Sequence, residues 1–283
     1  MNGNVIGFEP EWQTDDRRLP ANVKAFVTYR AGGCSAPPFD SNNLALHVGD
    51  DGKNVEKNRE TLSSRLKLSA PIAWLTQIHS DRIITESNFF AEIDDRNHPM
   101  EADGVVSCSS KLVCAVMTAD CLPVLFCNKQ GTQVAAIHAG WRGLANGILK
   151  KSVSAFNNNS ADELMVFLGP AITQNCYEVG EEVVSALELT VSLRRENFAR
   201  LSVPVLKDSF LNQAENQEQK SSRIKMKKYH LDMYAVAKAQ LSEVGVLNIS
   251  GGDRCSFSEK NNFYSYRRDG QTGRMASLIW LES

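Results

Sequence analysis

The sequence predicts a mixed α and β protein whose sheet is at least partly antiparallel, and three observations carry that prediction. Short apolar, β-rich runs alternate along the chain with stretches of helical spacing. The runs between Gly104 and His138 are separated by only a few residues, too few for a crossover helix at each step, so neighbouring strands there must pair antiparallel. The chain has 283 residues, 42% hydrophobic and 23% charged, enough for a sizeable core in one large domain or two small ones. A purely doubly wound sheet is disfavoured.

Taken in order, the expected strands are AFVTYR (25–30), IAWLTQIH (72–79), GVVSCS (104–109), LVCAVMTA (112–119), PVLFCN (123–128), QVAAIH (133–138), LMVFLG (164–169), VLNIS (246–250) and MASLIWL (275–281). Helical spacing recurs near 54–66, 143–156, 181–189 and 231–244. The stretch VAAIHAGWRGLANGIL (134–149) reads as strand, then a turn at Gly140–Gly143, then helix. Open α/β sheets bind ligands at the carboxyl ends of strands, which would place His138 and Arg142 at such an edge. The polar segment 207–228 is expected to be a surface excursion or helical insertion rather than a linker.

A formal net charge of -2 argues against a broad nucleic-acid footprint or a polybasic membrane patch and leaves a small polar substrate as the expected partner. The first residues show no basic stretch followed by an apolar one, and no run reaches the roughly 18 apolar residues of a membrane span, so the expected location is cytoplasmic. The seven cysteines are an odd number scattered through apolar runs, the habit of reduced, buried thiols. Assembly as monomer or homodimer is left open.

Three residues are each expected to close an apolar strand: His79 in WLTQIHS, Cys121 in MTADCLP and His138 in AAIHAGW. Two imidazoles and a thiolate suit a zinc ion with a fourth position open, as in catalytic sites. Their spacing is that of neither a CxxC nor an HExxH clamp. A buried cysteine with two hydrogen-bonded histidines is the plain alternative, and a Cys121 nucleophile with His138 as its base is another. The last leaves His79 unexplained.

Further polar residues could complete a pocket. The turn-rich loop 28–51 carries Arg30, Asn43 and His47, and the stretch 262–278 carries Arg267, Arg268 and Arg274 around Gly270 and Gly273. Guanidiniums beside glycine backbone suit a phosphate, because the planar fork makes paired bonds to oxyanions. Arg142 and Arg267 are the better candidates; Arg268 reads as a solvated surface charge. Asp103 and Asp120 could each orient an imidazole or carry a proton, and Asp120 is preferred because Cys121 follows it. Trp141 is expected in the pocket wall, and the loop 169–183 either lines the pocket or simply packs.

Together, TYRAGGCS…NNLALHVGDD, LTQIHS, ADGVV, MTADCLPVLF, AAIHAGWRGLANGI, GPAI…CYEVG and SYRRDGQTGRMASLIWL resemble, in order, the YfiH-type laccase-domain family, also called multicopper polyphenol oxidoreductase-like proteins. The resemblance runs from about Lys24 to Leu281, with Tyr29 and Cys34 as departures from the family's usual threonine and valine. It implies a single α+β domain, with mixed β-sheets and flanking helices, spanning 1–283, in which His79, Cys121 and His138 bind zinc. It implies phosphorolysis of adenosine, inosine, guanosine and methylthioadenosine, together with adenosine deamination. The older family name implies copper and phenol oxidation, and some members are tied to peptidoglycan-precursor editing.

For deamination Asp120 is the expected proton carrier, with the three metal ligands as catalytic residues. For phosphorolysis, Arg30, His47, Arg142 and Arg267, with Asn43 beside them, are the expected phosphate and substrate binders. Copper oxidation is the weaker rival, because laccase chemistry uses several coppers and the chain has five histidines. A purely structural zinc module is weaker still, since three ligands leave the metal open.

Overall fold

In the computed structural model, which describes residues 6–12, 19–93, 100–156, 159–202 and 227–283, two β-sheets lie face to face with helices on the outside. One is five-stranded, in the order β1 (Gly7–Phe8), β2 (Val23–Thr28), β14 (Met275–Leu281), β6 (Val113–Thr118) and β3 (Ile72–Ala73). The other is six-stranded, in the order β13 (Asn248–Gly251), β9 (Leu164–Leu168), β7 (Leu122–Asn128), β8 (Val134–Ala139), β5 (Gly104–Ser107) and β4 (Ile83–Thr85). Antiparallel pairing joins β5 to β8, β8 to β7 and β7 to β9, while the edges β4 and β13 add in parallel. A third sheet of three short strands, β10 (Glu178–Gly180), β12 (Lys228–Leu231) and β11 (Ala199–Leu201), lies apart. The fold is α+β.

The alternation of side chains along a strand explains why β7 and β8 read as unbroken apolar runs. Val124, Phe126, Ala135 and Ile137 face the helices α3 (Trp141–Ala145), α4 (Ile148–Ser154), α5 (Glu181–Glu188) and α6 (Met233–Glu243). Their neighbours Leu125, Cys127, Val134 and Ala136 face the second sheet, against Val27, Cys114, Val116 and Ile279. The far face of that sheet, Val113, Ala115 and Leu278, packs on Leu44 and on Leu62 of α1 (Gly52–Arg65). Both faces of both sheets are therefore covered. A buried side chain of this size contributes roughly 1.5–3 kcal/mol, and these strands carry many.

Several expectations are corrected. The run IAWLTQIH forms only the two-residue β3; beyond it the chain is held by an isolated bridge of Thr76 to Glu101 and enters a loop. The helix expected over 143–156 is two helices, broken at Gly147, whose φ of 78° is a left-handed conformation that glycine adopts without a Cβ clash. The expected turn at Gly140–Gly143 is Gly140 alone, which caps α3. Strand β6 pairs with β14 and β3 and not with its sequence neighbours, so Ala119–Cys121 carry the chain from one sheet to the other. The short strands β1, β4 and β10–β12, and the helices α2 (Glu86–Ile93) and α7 (Tyr266–Asp269), were not expected from the sequence. The polar segment 207–228 lies outside the described residues except for its last two. Among the described residues, no helix is long and apolar enough to cross a membrane.

Candidate active site

Crossing between sheets brings strand ends of opposite direction to one edge. The carboxyl ends of β6 and β8 meet the amino ends of β5, β7 and β14 there, so the site does not sit only at carboxyl ends as a parallel sheet would have it. His138 lies inside β8, one residue before its end, opposite Pro123. Cys121 closes no strand; it immediately precedes β7. His79 closes none either, standing in the loop before β4 with φ 59°. Asp120 has φ 103°. Left-handed backbone at a residue with a Cβ costs roughly 1–3 kcal/mol, so both must be held in place.

Asp103, the residue before β5, holds one of them. Its buried carboxylate accepts from His138 Nδ1 at 2.8 Å and from the His79 amide at 3.0 Å on Oδ1. Oδ2 accepts from the Ser80 amide at 2.6 Å and the Ser80 hydroxyl at 2.7 Å. Burial raises the Asp103 pKa, but the His138 and Ser80 bonds outweigh it and hold the carboxyl below its ordinary value. One carboxylate thus fixes the ring of one histidine and the backbone of the other. Asp103 is the orienting residue, a part for which the sequence favoured Asp120.

The ligand atoms of His79, Cys121 and His138 all lie within 4.8 Å of one another, with Cys121 Sγ 3.8 Å from His79 Nε2. Burial raises the Cys121 thiol, yet the charge of His138 and hydrogen bonds from both histidines outweigh it and pull the thiol below its usual range. For His138, burial lowers the pKa, while the Cys121 charge and the Asp103 bond more than reverse it. A thiolate is the form that ligates a metal, and a histidine whose Nδ1 is engaged by a carboxylate offers Nε2. Gly140 belongs here by its smallness: a Cβ on it would lie 3.1 Å from both Cys121 Sγ and His79 Cδ2. The three residues are placed so that together they could hold a metal ion, and their chemistry fits zinc.

The group opens into a cavity of about 520 Å³ that also touches His47, Asp120, Arg142, Arg267 and Arg274. Asp120 lines it, but its carboxylate is spoken for: Oδ1 accepts from Ser256 and Oδ2 from the Arg267 amide, each at 2.7 Å. Arg142 is exposed, its guanidinium 4.4 Å from the centroid of Trp141, which forms part of the wall as expected. Arg267 lies 5.0 Å from the centroid of Tyr177 and donates to the Glu178 carbonyl at 2.7 Å. Tyr177, Tyr266 and Gln77 also line the cavity and were not singled out in the sequence. Gln77, two residues before His79, is paired both ways with the Met117 backbone at 2.8 and 2.7 Å, tying that loop to β6.

Two expected binders lie elsewhere. Arg30 is in a separate depression, 3.4 Å from Asp40 and 3.8 Å from Asp269. Asn43 is fully buried, accepting from the Ala45 and Arg274 amides and donating to Asp50. Arg268 is not a solvated charge: it donates to the Ser256, Phe257 and Phe263 carbonyls and pairs with Asp269 at 2.7 Å.

The sequence profile of the multi-copper polyphenol oxidoreductase laccase family matches residues 24–282. The chain belongs to this family. Among its relatives is a Shigella flexneri protein named purine nucleoside phosphorylase YfiH, 40% identical over 272 residues and covering 96% of this chain and 97% of its own. A purine nucleoside phosphorylase of Pseudomonas aeruginosa is 40% identical over 271 residues, covering 96% and 98%. Crystal structures share the fold: a Neisseria meningitidis protein, 36% identical, superposes with a TM-score of 0.78 over 98% of this chain and 100% of its own. YlmD from Geobacillus stearothermophilus, 30% identical, gives 0.76 over 96% and 99%.

Proposed function

We propose that this protein is a zinc-dependent purine nucleoside phosphorylase that cleaves adenosine, inosine, guanosine and methylthioadenosine with phosphate, and that the same cavity deaminates adenosine. The observation that carries the reading is the meeting, in one cavity, of a His79–Cys121–His138 group with His47 and the guanidiniums of Arg142, Arg267 and Arg274. The full-length likeness to proteins named purine nucleoside phosphorylase supports it. When bound, zinc supplies Lewis-acid charge. The chain's own residues hold and orient: the cations position phosphate against the sugar, and the rings of Trp141, Tyr177 and Tyr266 give the base an apolar wall. Asp120 is assigned to positioning, since both its oxygens hold neighbouring loops. Nucleoside and inorganic phosphate are the partners, with no role for nucleic acid or membrane, in a monomer or homodimer in the cytoplasm.

One observation favours a second reading. A thiol drawn below its usual range beside an imidazole is also what a cysteine nucleophile and its base require. Incubating the protein with adenosine, with and without phosphate, and with a phenol, with and without copper, separates the possibilities when every product is identified by mass. The expected result is adenine and ribose 1-phosphate only when phosphate is present, with inosine or hypoxanthine from deamination. Intact adenosine throughout, with zinc bound, would overturn the enzyme reading. Oxidised phenol dependent on copper would favour the family's older name.

A further inference from the structure

The guanidiniums of the cavity differ in what surrounds them. Arg142 and Arg267 are exposed, whereas Arg274 is half-buried where the chain enters β14. Its Nη1 donates to the carbonyls of Thr272 at 2.8 Å and Gly273 at 3.0 Å. Its amide donates to the buried Asn43 Oδ1 at 3.0 Å. The guanidinium is thus anchored at one corner and its backbone at another. Among the described residues, no acceptor meets Nε or Nη2 and no carboxylate lies within ion-pair distance.

Burial lowers the Arg274 pKa, and the more distant Cys121 and Asp120 offset this only in part; an anion arriving at its open edge restores the balance. The Nε–Nη2 edge is the planar fork that makes two parallel bonds to one oxyanion, and here it is preorganised by the bonds at Nη1. Arg267 is anchored in a similar way, with Nη1 on the Glu178 carbonyl and its amide on the Asp120 carboxylate, but it is exposed, as is Arg142 beside Trp141, so neither is desolvated as Arg274 is. Beside Arg274, His47 is pushed below its ordinary pKa by burial and by the charges of Arg274 and Arg59. A neutral imidazole there can donate to an anion without adding to the repulsion.

We propose that Arg274, with His47 beside it, forms the subsite of this cavity for a tetrahedral oxyanion, and that the ligand is inorganic phosphate. The identity of the anion rests on the phosphorylase reading. Asn43 is then a positioning residue, acting through the Arg274 backbone.

Calorimetric titration of the purified, metal-loaded protein with inorganic phosphate tests the assignment. Arg274→Gln is expected to weaken phosphate binding by about 20-fold or more, and Arg274→Lys, which keeps the charge and loses the fork, by roughly 5- to 10-fold. Arg267→Ala is expected to cost less than about threefold. Arg274→Lys guards against a folding defect in Arg274→Gln, and near-ultraviolet circular dichroism of each variant checks it. Wild-type affinity in both Arg274 variants, or no phosphate binding by the wild type, overturns the subsite. Ribose 1-phosphate production with an unchanged phosphate KM in Arg274→Gln would overturn it while sparing the phosphorylase reading. Phosphate held through Arg274 with adenosine left intact would keep the subsite and remove that reading.

Discussion

At the metal-binding end of the cavity, His138, His79 and Ser80 are all bonded to one buried carboxylate, and Gly140 lets Cys121 and His79 close in. At the cationic end, Arg142, Arg267 and Arg274 each lie beside an aromatic ring, and the half-buried Arg274 keeps an open edge. Both ends come from the same kind of sequence, a polar residue beside an apolar strand. The first is bonded to itself before any ligand arrives, and the second holds donors in reserve. A metal demands fixed geometry, whereas an anion that enters and leaves needs unsatisfied donors.

Removing a ligand should break the metal-binding end outright. Cys121→Ser replaces a soft thiolate with a hydroxyl that stays protonated at neutral pH, so zinc content measured by elemental analysis should fall from about one per chain to a small fraction. The fold should survive, because Cys121 is only partly buried and the cores form elsewhere. Full zinc content in Cys121→Ser would remove Cys121 from the ligand set and with it the contrast between the two ends.

A subtler change sharpens the comparison. Asp103→Asn keeps the volume but exchanges one acceptor oxygen for a donating amide. Whichever way the amide is turned, it faces donors: His138 Nδ1 and the His79 amide on one side, Ser80 on the other. Zinc affinity, read by competition with a chelator, should drop about 10- to 100-fold while phosphate binding changes little. Equal losses of zinc and phosphate would mean that the two ends are one mechanical unit.

The parts of this arrangement differ in how well the sequence announces them. The apolar runs of β7 and β8 and the residue types of His79, Cys121 and His138 are local signals, and they were legible. Asp103 was visible only as a residue near a strand, because its partners at 79, 80 and 138 are brought to it by pairing of β5 with β8 and by a loop with no periodicity. Arg30 and Arg274 look alike in the chain, and their difference lies in Asp40 and Asp269, which pair with the first, whereas among the described residues no carboxylate lies within ion-pair distance of the second. The strand expected over 72–79 failed for a related reason: after β3 the chain leaves its sheet, and Gln77 and Asp103 hold it in place of a strand partner. Charge pairing and loop anchoring are properties of the folded chain.

The smallest expected effect is at the rim. Arg142 is exposed and has no carboxylate partner among the described residues, so its charge is already well solvated and a bound anion gains little from it. What it can do is raise the local concentration of anions at the mouth, an effect that acts through solvent. Arg142→Ala should therefore weaken apparent phosphate affinity by about two- to threefold at low salt, and the difference should fade near 0.15 M ionic strength, where the screening length is roughly 8 Å. Phosphate titrations of wild type and variant at two salt concentrations measure this directly. A salt-independent loss as large as that expected for Arg274→Gln would place the phosphate contact at the rim, and the cationic end would then be led by its most solvated arginine rather than its least.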